Sequence, residues 1–267
     1  MANESIARLR QMFEDEIANN ADLYHSIDIE RVRTEDWQVK RFLLDQPDMD
    51  EKKAFDNLCK ALQWKKSFGV HDRTDQSFPK EFWELNSVEI YGRDNENRII
   101  QWELYRNQRT FPELNDITRQ FISHCLERVD RTAGEDGFII ITDSNGAGLA
   151  NVDMDVARYK ISIIDYYPGG LRGQYVIDLP WLLNAAFKII LSFMSERLKK
   201  IVSTMKSNEL SKCVDSKFIP VCLGGTREKN AFPNDLIPLD QHSSLNLSEQ
   251  FLDRFYKLHK LPRPRKM

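Results

Sequence analysis

Between Ile177 and Ile201 the chain reads Ile-Asp-Leu-Pro-Trp-Leu-Leu-Asn-Ala-Ala-Phe-Lys-Ile-Ile-Leu-Ser-Phe-Met-Ser-Glu-Arg-Leu-Lys-Lys-Ile. Taken as a helix from Trp181, its only polar side chains before Met194 are Asn184, Lys188 and Ser192. Their spacing puts them on one narrow stripe of an otherwise apolar cylinder. Such a cylinder is expected to be covered on nearly all sides: by the core of a large domain, by a bilayer, or by an apolar ligand. A bilayer fits poorly, because Pro180, Asn184 and Lys188 interrupt a run shorter than the roughly 20 residues a spanning helix needs. The core and the ligand remain as the two environments to be weighed.

A chain of 267 residues can bury a substantial core, either as one large domain or as a small helical domain followed by a larger one. Basic and acidic residues nearly balance, 38 against 41, so nucleic acid is not expected as a partner. Cys59, Cys125, Cys213 and Cys222 are widely spaced among apolar neighbours, a pattern of buried reduced thiols rather than of disulfides. No Cys/His cluster has zinc spacing, and neither a metal nor a cofactor is expected. The N-terminus carries Glu4, Arg8 and Arg10 in a helical pattern without a signal-peptide core. The expected location is cytoplasmic, with any membrane met from the water side.

Ile6, Leu9, Phe13 and Ile17 share a helical face over residues 4–18. A second helix is expected near Thr34, with Trp37, Phe42 and Leu43 inward and Pro47 as its stop. A third spans Glu51 to Phe68 and ends at Gly69. Residues 78–85 make a connecting helix. Alternation then begins: strands at 88–91 and 98–103 around a polar turn, a helix over 113–130, and the continuous apolar strand 138–142. A helix follows over 153–167, with Pro168-Gly169-Gly170 breaking it before a strand at 174–178. Beyond the apolar helix come a restart at 195–200, a strand at 201–205 and a short helix at 209–215. Residues 231–247 are loop-like, and Ser248 caps an amphipathic helix bearing Phe251, Leu252, Phe255 and Leu258. The fold class is therefore α/β, a mixed, mostly parallel sheet flanked by helices, with a small all-helical lobe before it.

The loop after the central strand is where ligands of open sheets bind. It offers Asp143, Ser144 and Gly146-Ala147-Gly148, yet lacks the glycines and the Lys-Ser/Thr of a phosphate loop, which leaves Gly146 and Gly148 as turn residues. Thr142-Asp-Ser-Asn-Gly146 also lacks the first glycine of a nucleophile elbow, and the five histidines show no partner pattern. Asp153 and Asp155 fit a helix cap better than a metal site. Lys199 and Lys200 suit either an anionic headgroup or a solvated face. Lys257, Lys260, Arg263, Arg265 and Lys266 form a basic tail that suits anionic lipid or plain solvent.

Two segments, Asp153-Met-Asp-Val-Ala-Arg-Tyr-Lys-Ile-Ser-Ile-Ile-Asp-Tyr-Tyr-Pro168 and Ile177-Asp-Leu-Pro-Trp-Leu-Leu-Asn-Ala-Ala-Phe-Lys-Ile189, resemble the CRAL-TRIO lipid-binding family. Tyr91-Gly-Arg-Asp94, Trp102 and Leu223-Gly-Gly-Thr226 support the likeness, which covers about residues 30–228. Within the family the chain looks most like the N-terminal domain of the motile sperm domain-containing members. The resemblance implies a helical lobe, an α/β lipid-binding lobe, and a mobile helix that closes the pocket, here Pro180 to about Met194. Gly169 stands where phosphoinositide-transferring relatives carry glutamate, which counts against an inositol headgroup, whereas Lys200 falls on the family's lysine before isoleucine. The second domain and membrane anchor of the motile-sperm relatives have no counterpart in this sequence, as expected of a short paralogue or a fragment.

These strands join in one expectation: a non-enzymatic protein that binds a hydrophobic lipid ligand for transfer or sensing at membranes. Residues 1–85 would form the helical lobe, 86–230 the lipid-binding lobe, and 231–267 an extension with an amphipathic helix and basic tail. Trp102, Ile139 and Ile141 are expected on the sheet wall of the pocket, with Leu183, Phe187, Ile190 and Met194 on the lid and Lys200 at a headgroup. The membrane would be met peripherally, at the endoplasmic reticulum or lipid droplets, with no transmembrane segment. The alternative is a membrane- or droplet-associated interaction module whose pocket is filled by its own side chains.

Overall fold

The computed structural model describes residues 2–85, 88–228 and 235–264. Four helices open the chain: α1 (Ala2–Asn20), α2 (Ser26–Thr34), α3 (Asp36–Leu44) and α4 (Glu51–Phe68). The face expected of α1 is buried at Ile6, Leu9, Phe13 and Ile17, against Phe42 and Leu43 of α3 and Leu58 and Leu62 of α4. Sequence pattern missed α2, whose one buried aliphatic side chain is Val32; it starts where the His25 ring accepts a bond from the Ile27 amide at 3.2 Å. Helix α4 matches its expected bounds, because Asp50 caps it through the Lys53 amide and Gly69, at φ 69°, supplies the left-handed residue that ends it.

After the short helix α5 (Lys80–Glu84), β1 (Glu89–Arg93) and β2 (Ile99–Leu104) pair antiparallel around the polar turn. Helix α6 (Asn115–Ala133) leads to β3 (Phe138–Asp143), α7 (Met154–Ile164) to β4 (Leu171–Ile177), and α8 (Asn184–Ser192) with α9 (Glu196–Ile201) to β5 (Val202–Met205). Pairs β2–β3, β3–β4 and β4–β5 are parallel, and strand order follows the chain from β1 to β5. The continuous apolar run of β3 is thus central, buried at every residue from Phe138 to Asp143. Strand β4 begins at Leu171, three residues before its expected start, because Leu171 already pairs with Phe138.

A sheet built in chain order by right-handed crossovers collects its helices on one face. There Leu126 and Val129 of α6, Ile163 of α7 and Leu198 of α9 pack with Ile99, Phe138 and Ile140. Ile100, Trp102, Ile139, Ile141 and Ile177 point to the other face, where Leu210, Val214, Ile219 and Leu223 cover them. In place of the short helix expected at 209–215, a 3₁₀ segment covers Ser207–Lys212. Gly225 is required here because a Cβ would lie 2.0 Å from the Ile219 carbonyl oxygen.

Ser248 caps the last helix, α10 (Glu249–His259), through the Phe251 amide at 3.2 Å. Phe251, Leu252 and Phe255 join Phe82, Trp83 and Phe121 in a shared core. Leu258, expected on the apolar face, is exposed, and Tyr256 holds the buried place instead. Pro233 of the expected loop and Arg265 and Lys266 of the expected tail lie outside the described residues.

Candidate ligand cavity

A cavity of about 240 Å³ lies between the helical face of the sheet and α7, α8 and α10. Glu103, Ile140, Thr142, Gln174 and Val176 form the sheet wall, alternate residues of β2, β3 and β4. Val156, Ala157, Lys160 and Ile164 come from α7, and Phe255 and His259 from α10. Leu183, Ala186, Phe187, Ile190 and Met194 close the remaining side from α8 and its flanks.

The apolar helix does not meet the expectation of cover on nearly all sides. Trp181 to Leu183 form a 3₁₀ turn, and no residue of α8 itself is buried. Its inner side chains face the cavity, while Trp181, Leu182 and Ile189 are 83%, 40% and 49% exposed. Apolar periodicity cannot tell a helix wrapped by protein from one whose second side faces solvent.

Of the residues expected in the site, Leu183, Phe187, Ile190 and Met194 line the cavity. Trp102, Ile139 and Ile141 do not: they belong to the core on the opposite face of the sheet, with the Trp102 indole donating to the Tyr91 carbonyl at 3.0 Å. A two-residue period gives two sets of alternate residues per strand, and nothing within a doubly covered strand says which set faces the ligand. Lys200 is exposed on α9 and is not among the lining residues; its neighbour Lys199 pairs with Glu196 at 2.7 Å.

The polar lining was missed from sequence. Glu103 accepts the Gln101 side-chain amide at 3.0 Å and the Lys160 ammonium at 3.1 Å. Its signal was the alternation Gln101-Trp-Glu103 within an apolar strand, and that of Lys160 its four-residue spacing from Val156 and Ile164. Burial pushes the Tyr105 phenol up to about 12, with Asp153 and Glu103 adding to the rise. Burial likewise brings His259 down to about 4, helped by Arg109, so its ring is neutral in the cavity wall at pH 7.

The loop after β3 is spent on structure. Asp143 pairs with Arg106 and accepts the Asn145 amide at 2.9 Å, and Gly146 makes its turn at φ +74°. Ser144 reaches the cavity, but no histidine bonds it among the described residues. Asp153 caps α7 through the amides of Asp155 and Val156 at 2.8 and 2.9 Å. His71 pairs with buried Asp28 at 2.8 Å, and His124 with Asp75 at 2.8 Å, partners that no local pattern announced. The thiols are free, with Cys125 buried and Cys222, contrary to expectation, exposed. Among the described residues no cluster of side chains suits a metal ion, and no helix is long and apolar enough to cross a membrane.

Residues 86–225, just over half of the chain, match the CRAL/TRIO domain. The chain belongs to this family. Patellin-5 of Arabidopsis thaliana is 26% identical over 204 residues, 68% of this chain and 30% of Patellin-5. The phosphatidylinositol transfer protein SFH5 of Kluyveromyces lactis is 21% identical over 67% of this chain and 64% of its own. The Sec14 cytosolic factor of Schizosaccharomyces pombe is 26% identical over 72% of this chain and 75% of its own. The chain thus spans less than two thirds of the first two relatives. The crystal structure of Sfh5 superimposes with a TM-score of 0.66 over 94% of this chain and 97% of that one, at 16% identity. That likeness speaks for the CRAL/TRIO fold alone.

Proposed function

We propose that this CRAL/TRIO protein binds a hydrophobic lipid in the cavity beneath α8 and carries or senses it at membranes. The observation that supports the reading most is the double character of the α8 segment. Phe187 and Ile190 line an apolar space on one side, while Trp181, Leu182 and Ile189 face outward. A lid with two apolar sides exchanges one cover for another: lifted from the cavity it opens the pocket, and its outer side chains enter the lipid surface. An apolar guest gains about 25 cal/mol per Å² buried, so a hydrocarbon chain binds here with few polar contacts.

In this reading residues 1–85 support the lipid-binding lobe of residues 86–230, and the extension from 231 contributes α10 to the cavity wall. The protein acts without catalysis, peripherally on a cytoplasmic membrane such as the endoplasmic reticulum or a lipid droplet. Kinship with the motile sperm domain-containing members belongs to the same proposal. The interaction-module alternative requires a core filled by its own side chains, and the open space beneath α8 weighs against it.

Native mass spectrometry of the purified chain, with extraction and identification of what is bound, tests the proposal. A stoichiometric co-purified lipid is the expected result. Protein that stays empty after incubation with mixed-lipid vesicles overturns it.

A further inference from the structure

Two buried polar atoms on the helical face of the sheet have no partner. Thr142 is 6% exposed and lines the cavity, yet its hydroxyl makes no hydrogen bond. On neighbouring β2, Gln101 is 5% exposed and leaves its Oε1 unpaired. Native proteins pair nearly all such groups, with protein, water or ligand. Between them stands Glu103, in register with Thr142 and bonded to Gln101 and Lys160. Glu103 is the bonding partner of Lys160 among the described residues, so further N–H donors of the ammonium remain. Ile140, Val176, Leu183 and Ile190 line the apolar part of the space, whose wall elsewhere also carries Gln174, Arg109, Asp153 and His259.

We propose that Thr142, Glu103 and Lys160 form an internal subsite for the uncharged hydroxyl end of a single-chain lipid. The inference rests on the lipid-carrier reading and names the class of guest. Charge selects the hydroxyl. The Lys160–Glu103 pair is already balanced, so a carboxylate or phosphate brings a second negative charge beside Glu103, and a cationic headgroup meets Lys160. A hydroxyl satisfies both sides: it accepts from Lys160 or Thr142 and donates to Glu103 or Thr142. Volume selects the single chain. An apolar cavity of about 150 Å³ holds one benzene ring, and the space here is about 240 Å³. The two acyl chains of a diacyl lipid together exceed that space.

The test compares four probes of equal chain length on the delipidated full chain, each below its aggregation concentration, by isothermal titration calorimetry. Decan-1-ol is expected to bind about tenfold or more tightly than decanoate and decyl phosphate. It is also expected to exceed 1-chlorodecane, which has no donor, by about threefold to tenfold. Thr142→Val, equal in shape, should weaken decan-1-ol by that same factor and leave 1-chlorodecane unchanged. Equal binding of decan-1-ol and 1-chlorodecane by the parent chain, which requires no variant to fold, overturns the subsite while the carrier reading stands. Tighter binding of decanoate or decyl phosphate overturns the hydroxyl assignment in favour of an anionic guest. Absence of binding by all four overturns the subsite, and the vesicle incubation read by native mass spectrometry decides the carrier reading separately.

Discussion

Arg41 of α3 and Asp130 of α6 meet through two parallel bonds, Nη1 to Oδ2 at 2.7 Å and Nη2 to Oδ1 at 2.6 Å, with neither side chain more than 4% exposed. Arg41 Nε donates in addition to the Pro168 carbonyl at 2.8 Å. One guanidinium therefore ties the leading helices, the long crossover helix and the turn after α7 together. Removing it leaves a carboxylate buried without its cation. Arg41→Met should cost about 3–5 kcal/mol of stability, and Arg41→Met combined with Asp130→Leu markedly less. Urea unfolding of both variants checks this. A single variant within about 1 kcal/mol of the parent would show that the pair does not join the lobes.

The same pair explains Gly170. A Cβ there would stand 2.4 Å from Asp130 Oδ1 and 3.0 Å from Arg41 Nη2, whereas Gly148 has open space around it and an extended backbone. Gly170→Ala should destabilise by about 1–3 kcal/mol as an overpacked site. Gly148→Ala should be neutral or stabilise by about 0.4–1 kcal/mol through the unfolded chain. Thermal melts of the two variants side by side give the answer, and equal midpoints would refute the steric account.

The inner and outer sides of α8 and its flanks separate by mutation. Phe187→Asp puts a carboxylate against the apolar cavity and should abolish lipid uptake. Trp181→Ala acts at a side chain 83% exposed, so stability should stay within about 0.5 kcal/mol while co-sedimentation with vesicles falls. Transfer at the parent rate by folded Phe187→Asp would remove α8 from the mechanism.

His259 makes stability depend on pH. Burial between Phe111 and Phe255, and the nearby cation Arg109, lower its value from the ordinary one near 6.5 to about 4. A depressed histidine favours the neutral ring in the folded chain, so its contribution is whole above about pH 6.5. It is lost as the pH falls from there towards about 4, because the unfolded chain takes up the proton first. His259→Phe should flatten the dependence of the melting temperature across that window. An unchanged slope would mean that the ring is hydrated.

Much of the architecture was legible because local physics decides it. The 3.6-residue face of α1, the caps of α4, α7 and α10, and the unbroken apolar run of β3 follow from short stretches of chain. Helix α2 was illegible for the complementary reason, since a single buried aliphatic residue, Val32, makes no periodicity. Leu183, Phe187, Ile190 and Met194, from α8 and its two flanks, could be named through the family resemblance. The sheet wall could not. Trp102, Ile139 and Ile141 were as apolar as Ile140 and Val176, and only the side on which the crossover helices gather decides which parity meets the cavity. The bonding of Glu103 to Lys160, 57 positions apart, and of Arg41 to Asp130, 89 apart, likewise depends on where the chain returns. Periodicity and capping are local and survive in a linear string; facing, pairing and empty space are relations between distant segments, and exist only once the chain has closed on itself.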